Sequence, residues 1–183
     1  MVLEKVLHVK SIRCFGACEF IDVMGKLSYV LDAKNPEAIV IASKKDFTAN
    51  DYASMIELVL SGVKMVGMHA TSLYAKDKRR YPGVGAILEM LHYATGAQYR
   101  VVGKPSELFY HEALSLLQKQ GGVKHFDDVT MISDDAIGDL VGAKKLGMKT
   151  ILVLSGKCQS KEEVLHVKAS LDSIVPTIGH VKR

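Results

Sequence analysis

Short apolar runs alternate along the whole chain with longer stretches whose apolar residues recur at helical spacing. Ser11-Ile12-Arg13-Cys14-Phe15-Gly16 is the first such run. Ala38-Ile39-Val40-Ile41-Ala42 is the second, set off by the turn signal Asn35-Pro36, and Val63-Lys64-Met65-Val66-Gly67-Met68 is the third. Thr48 is placed to N-cap a helix over about 49–61, on which Tyr52, Met55, Ile56, Val59 and Leu60 share a face and which Gly62 closes. A polar loop is expected over 69–81. Pro82-Gly83-Val84-Gly85 then opens a helix carrying Ile87, Leu88, Met90, Leu91 and Tyr93, which stops at Gly96. Residues 99–103 form the next expected strand. Pro105 falls in the first turn of a helix reaching about 119, where its missing N–H costs nothing. A strand at 128–132, a helix at about 136–146, a strand at 149–154 and a helix near 161–171 follow, and the tail from Ser173 to Val181 adds an edge strand. Strands alternating with helices of about a dozen residues make parallel βαβ units, so the expected class is α/β with a Rossmann-like parallel sheet.

The densest chemistry lies where one of these strands ends. The run Val129-Thr130-Met131-Ile132-Ser133 breaks off into Asp134 and Asp135, and a helix rich in small residues follows with Asp139 near its start. Open α/β sheets bind ligands at the carboxyl ends of their strands. Carboxylate oxygens there suit a hard cation such as Mg²⁺. Asp134, at the end of its strand, is the candidate metal ligand. Asp139 can face back to the same place or cap amides, and Asp135 is the sort of helix-start acid that the helix dipole favours. Upstream, Gly103-Lys104-Pro105-Ser106 puts a lysine between a strand and a helix amino terminus, where ammonium and dipole together favour an anion. Lys104 and Asp134 follow consecutive strands separated by one helix, so their side chains can meet at one sheet edge. Mixed charge of this kind is what phosphoryl transfer needs.

Composition narrows the class. The 183 residues are 48% hydrophobic, enough for a sizeable core, and carry a net charge of +4 with the basic residues scattered. The densest basic run, Lys76-Asp77-Lys78-Arg79-Arg80, reads as a solvated loop, and no basic face with aromatic readers points to nucleic acid. Cys14, Cys18 and Cys158 are an odd number at irregular spacing and read as reduced thiols rather than a disulfide framework or a zinc site. The first ten residues contain no apolar core of signal-peptide length, and no run approaches the roughly 20 apolar residues of a membrane span. A cytoplasmic protein without a membrane partner is the expectation.

Gly103-Lys104-Pro105-Ser106, the run from Met131 to Asp139 with Gly142-Ala143 and Gly147-Met148-Lys149-Thr150 behind it, and Pro82-Gly83-Val84-Gly85 together resemble the haloacid-dehalogenase superfamily of phosphohydrolases, and within it the NagD-like class IIA branch. The resemblance spans nearly the whole chain and is most specific over 81–157. It implies a partial core of this superfamily in 1–23 and 82–183, with an inserted α/β cap at 24–81. It implies an Mg²⁺-dependent phosphatase of small phosphate esters, in which Lys104 steadies the phosphate, Asp134 binds Mg²⁺ and Asp139 supports the metal's surroundings. It also places the cap loop around His69, Thr71 and Ser72 over the substrate, although His69 taken alone reads as a structural or solvated histidine.

Two departures matter. The family usually has glycine where this chain has Ser133, and a serine is expected to crowd the metal loop slightly. The family's first motif, an Asp-x-Asp after a strand, finds no match: Asp22 and Asp32 stand alone in the first part of the chain. The second motif is missing in the same way, so the chain reads as starting at the third core strand, with the core's N-terminal strands missing. Without the nucleophile no aspartyl-phosphate forms, so the isolated chain is expected to be inactive with Mg²⁺ bound weakly or not at all. A shortened sheet would expose a strand edge, to be covered by a second copy of the chain or another partner. The alternative is a non-catalytic binding or interaction protein derived from the same superfamily. A response-regulator receiver also combines paired aspartates with a lysine, but in the opposite order along the chain.

Overall fold

The structure, a computed structural model, describes residues 8–27, 29–31, 34–76 and 79–181. Residues 1–7, Asp32 and, within the basic run, Asp77 and Lys78 lie outside the described residues. The chain forms two compact units, Met1–Gly103 and Lys104–Arg183.

In the first unit, β1 (Ser11–Phe15), α1 (Cys18–Lys26), β2 (Val30–Leu31), β3 (Ala38–Ile41), α2 (Ala49–Leu60), β4 (Lys64–Gly67), α3 (Val84–Thr95) and β7 (Tyr99–Val101) build a parallel sheet in the order β2-β1-β3-β4-β7. The hairpin of β5 (Leu73–Lys76) and β6 (Arg79–Pro82) is inserted between β4 and α3. Every residue of β3 is buried, as an unalternating apolar run at the centre of a parallel sheet requires. Ile12, Met24, Val40 and Val66 pack in one core cluster, and Ile39, Ile41, Met55, Leu88 and Leu91 in another. Helix α2 begins at the expected Thr48. The threonine hydroxyl accepts from the Asp51 amide at 3.1 Å, and the Asp51 carboxylate accepts from the Thr48 amide at 2.8 Å. Because β1, β3 and β4 run parallel, the loops after them share one edge; that edge carries Ser43 after β3 and His69 after β4.

In the second unit, α4 (Glu107–Gln120) leads through a single 3₁₀ turn, Phe126–Asp128, to β8 (Thr130–Ser133). A π-helical turn (Ala136–Leu140), α5 (Val141–Lys145), β9 (Lys149–Val153), a 3₁₀ stretch (Glu162–Ser170) and β10 (Ser173–Val175) follow. The described strands form a parallel sheet in the order β10-β9-β8, so the tail does add an edge strand. Its core is Ala136, Leu140, Leu152 and Val164, with a neighbouring cluster of Tyr110, Ala143 and Met148.

Four expectations change. The polar loop at 69–81 is largely a hairpin, because Tyr74 and Tyr81 stack across it at 5.5 Å; Arg79 and Arg80 on it are exposed, as a solvated run should be. Pro105 stands outside helix α4, which starts at Glu107 with the Ser106 side chain accepting from the Phe109 amide. The helix expected over 136–146 opens with a π turn, in which the Leu140 amide reaches back five residues to the Asp135 carbonyl. The last helix is 3₁₀ rather than α. Helix α1 and strand β2 were not expected, although Phe20, Ile21 and Met24 recur at helical spacing along the first. Strands β1, β3, β4 and β7 share one sheet, and the break between compact units comes after Gly103.

Candidate active site

The second unit gathers the charged residues at the carboxyl end of β8. Lys104 lies just ahead of α4 and Asp139 in the π turn, and the Lys104 Nζ donates to Asp139 Oδ2 at 2.9 Å. The aspartate side chain is 13% exposed and the lysine side chain 39%. That setting strengthens the pair over a solvated one while leaving the ammonium open to a ligand. Two further groups hold Asp139. The Ser133 hydroxyl donates to the same Oδ2 at 2.7 Å, and the hydroxyl of Tyr110, from α4, donates to the Asp139 carbonyl at 2.7 Å. Tyr110 is almost fully buried. Burial, with the negative charges of Asp139 and Asp135 nearby, pushes its phenol up to about 12.

Asp134 and Asp135 are fastened by the loop after β9. The Lys157 amide donates to Asp134 Oδ2 at 2.8 Å, and the Cys158 amide donates to the Asp134 carbonyl at 3.1 Å. The Lys157 ammonium meets Asp135 Oδ2 at 2.6 Å, while Asp135 Oδ1 accepts from the Gly138 amide at 2.8 Å. Asp135 is therefore the helix-start cap expected of it, with an ion pair added. Gly156 is glycine because Asp134 lies against it: a Cβ there would stand 1.9 Å from Asp134 Oδ2.

The structure thus brings Lys104 and Asp139 into direct contact and sets Asp134 in the same loop. His69 and Thr71 belong to the other unit. There the Thr71 amide donates to His69 Nδ1 at 3.4 Å, and His69 Nε2 lies 3.0 Å from Ser43 Oγ. The loop that holds them is pinned by the Pro82-Gly83-Val84-Gly85 segment. The Gly83 amide donates to the Ser72 carbonyl at 2.8 Å, and a Cβ on Gly83 would stand 2.0 Å from the Thr71 carbonyl oxygen.

Sequence reasoning missed Tyr110, Ser43, Lys157 and the constructive part played by Ser133. Lys157 had a signal, in a Ser155-Gly156-Lys157 turn just past a strand end. Ser133 was visible as a departure, but instead of crowding the loop its hydroxyl bonds into it. Tyr110 had none, since an aromatic on a helix face reads as core.

These residues match known proteins. The HAD-hydrolase-like family model matches residues 101–181. The chain is 31% identical over 134 residues to cattle haloacid dehalogenase-like hydrolase domain-containing protein 2, covering 73% of this chain and 50% of that protein. It is 28% identical over 179 residues to human phospholysine phosphohistidine inorganic pyrophosphate phosphatase, covering 90% and 64%. Among solved structures, NagD of E. coli matches with a TM-score of 0.79 at 19% identity over 98% of this chain and 68% of its own. The 4-nitrophenylphosphatase of Thermotoga maritima matches with a TM-score of 0.81 at 21% identity over 97% and 66%. The chain spans about half the length of the curated relatives it matches first. Sequence matches and fold agree on one class, the α/β proteins of the haloacid-dehalogenase type; the chain belongs to that superfamily and shares its fold with NagD.

That family implies Mg²⁺. The donor chemistry suits the ion, since three carboxylates crowd one loop. The donor number does not: among the described residues no group of three or more His, Cys, Asp and Glu side chains is disposed to hold a metal. Asp135 and Asp139 each give an oxygen to an ammonium instead. No helix among the described residues is long and apolar enough to cross a membrane.

Proposed function

We propose that these residues are the lysine-and-aspartate half of a phosphohydrolase site acting on small phosphorylated substrates. The observation that carries this reading is the Lys104–Asp139 pair, 2.9 Å apart at the carboxyl end of β8 beside Asp134. The relatives support it, several of them being named for phosphatase activity. Lys104 offers its ammonium to the phosphate, and Asp139 holds that ammonium in place. Asp134 contributes one carboxylate to a divalent cation whose other ligands come from outside these residues. In this reading residues 24–81 are the cap, and His69 and Thr71 are the residues it offers to a substrate. The nucleophile is a different matter. No Asp-x-Asp occurs anywhere in the 183 residues, and without a nucleophile no covalent phosphoryl-enzyme forms. The 183 residues by themselves accordingly turn over little or nothing, and the site takes its nucleophile from outside them.

The test is phosphate release from 4-nitrophenyl phosphate by the purified chain with Mg²⁺, beside Asp134→Ala, together with inorganic phosphate binding by wild type and Lys104→Met. Binding lost in Lys104→Met with no turnover is the expected result. Turnover that disappears in Asp134→Ala would reveal a nucleophile among these residues and overturn the claim of incompleteness. Phosphate binding that is absent, or indifferent to Lys104, would overturn the site.

A further inference from the structure

We propose that Ser133, together with Lys104 and Lys157, stands in for a divalent cation, so that the acidic loop keeps its shape with no metal bound and the chain takes up Mg²⁺ poorly because of it. The inference deepens the phosphohydrolase reading and leans on it only for the expectation that a cation belongs at this loop.

Asp135 and Asp139 each hold two internal hydrogen bonds, and Asp134 holds one. Asp139 Oδ2 accepts from the Ser133 hydroxyl at 2.7 Å and from Lys104 Nζ at 2.9 Å. Asp135 accepts from the Gly138 amide at 2.8 Å and from Lys157 Nζ at 2.6 Å. Asp134 Oδ2 accepts from the Lys157 amide at 2.8 Å. Ser133 is the hub of this arrangement, because its oxygen also accepts from the Asp135 amide at 3.1 Å and so ties the side chain of Asp139 to the backbone of Asp135. Three carboxylates against two ammoniums leave a single net negative charge. Mg²⁺ demands near-octahedral oxygen ligands and sheds its water reluctantly, so one residual charge is a weak inducement. To gain a second carboxylate the ion must displace an ammonium from a charge-assisted hydrogen bond. A glycine at position 133 would offer no hydroxyl; Asp139 would then keep a free lone pair, and the Asp135 amide would lose its acceptor. Ser133 is thus a positioning residue whose effect is to decide whether the loop needs a metal.

The experiment uses the full 183-residue chain and the metal alone, without phosphate or turnover, so its outcome is independent of the phosphatase assay. Thermal unfolding is followed in EDTA and in millimolar MgCl₂, and Mn²⁺ binding is titrated by electron paramagnetic resonance, for wild type, Ser133→Gly, Ser133→Thr and Asp134→Asn. Wild type should show the same Tm in both media and only weak Mn²⁺ binding. Ser133→Gly should fall by roughly 3–8 °C in EDTA, recover part of that in Mg²⁺, and bind Mn²⁺ about 10-fold more tightly. Ser133→Thr, which keeps the hydroxyl, should follow wild type. Tight Mn²⁺ binding by wild type that Asp134→Asn abolishes would overturn the proposal. So would a Ser133→Gly protein indistinguishable from wild type in both media.

Discussion

Lys104 and Asp139 are 35 positions apart in sequence and 2.9 Å apart in space, and the residues that make this so are uncharged. Tyr110 holds the Asp139 carbonyl from a buried position, so Tyr110→Phe strands that acceptor and should cost about 1–3 kcal/mol of unfolding free energy in urea. The same residue gives a pH prediction. Its folded-state phenol is raised to about 12 from an ordinary value of 10. The folded chain therefore binds the proton more tightly than the unfolded chain, and the stabilisation is fully present below pH 10 and lost as pH rises toward 12. The alkaline fall in Tm should be shallower in Tyr110→Phe; an unchanged slope would exclude Tyr110 as its source. Gly156→Ala drives a methyl group into Asp134 Oδ2 and should break the Lys157 amide bond to that carboxylate, at about 1–3 kcal/mol by urea unfolding. Lys104, Asp134 and Asp139 stand out in the sequence as charges near strand and helix ends, and the structure brings Lys104 and Asp139 into contact. Tyr110 and Ser133 do not stand out, because their roles depend on which carbonyl or carboxylate the fold sets before them.

Elements were legible where the pattern was long and apolar. Helix α2 lies at 49–60 behind its Thr48 cap, close to the 49–61 read from spacing, and Gly96 ends α3 with a left-handed conformation as a C-terminal glycine should. The β5–β6 hairpin was hidden because its strands carry Lys76, Arg79 and Arg80 and its pairing rests on two tyrosines, Tyr74 and Tyr81, within a polar stretch. The π turn was hidden because nothing in Ala136-Ile137-Gly138-Asp139-Leu140 announces a hydrogen bond one residue too long. A tie across the second sheet was also out of reach of any spacing argument. Asp172, just before β10, accepts from the Thr150 amide at 2.8 Å and from the Thr150 hydroxyl at 3.0 Å, and Thr150 is the fully buried second residue of β9. The Lys144 ammonium first, and then the Thr150 amide, hold the Asp172 carboxyl below the usual aspartate range. A depressed carboxyl contributes stability above its unfolded value near 3.8 and loses it as pH falls further. Asp172→Asn should therefore unfold with a flatter acid limb than wild type. Thr150→Val, which removes the buried hydroxyl, should cost about 1–2 kcal/mol at neutral pH.

At the scale of the molecule, the alternation of strands and helices announced an α/β protein, and the five-stranded and three-stranded sheets are parallel throughout their described strands, with only the β5–β6 hairpin antiparallel among the described elements. The division between units was not announced, since Tyr99-Arg100-Val101-Val102-Gly103-Lys104 runs from one unit into the other with no linker composition. The second unit raises a question of completeness in physical terms. Parallel sheets are normally enclosed, yet β8 is an edge strand among the described residues, and Ile132 on it is 37% exposed. Ile137, in the turn that follows, is 59% exposed. An unpaired edge bearing apolar side chains is a surface for another polypeptide to cover. In the absence of any other protein, the cover at hand is a second copy, so the purified chain should self-associate as its concentration rises, and Ile132→Lys should keep it monomeric by placing a charge on the edge. Light scattering across a concentration series distinguishes the cases. A wild-type chain that stays monomeric throughout would exclude a second copy of itself as the cover for β8.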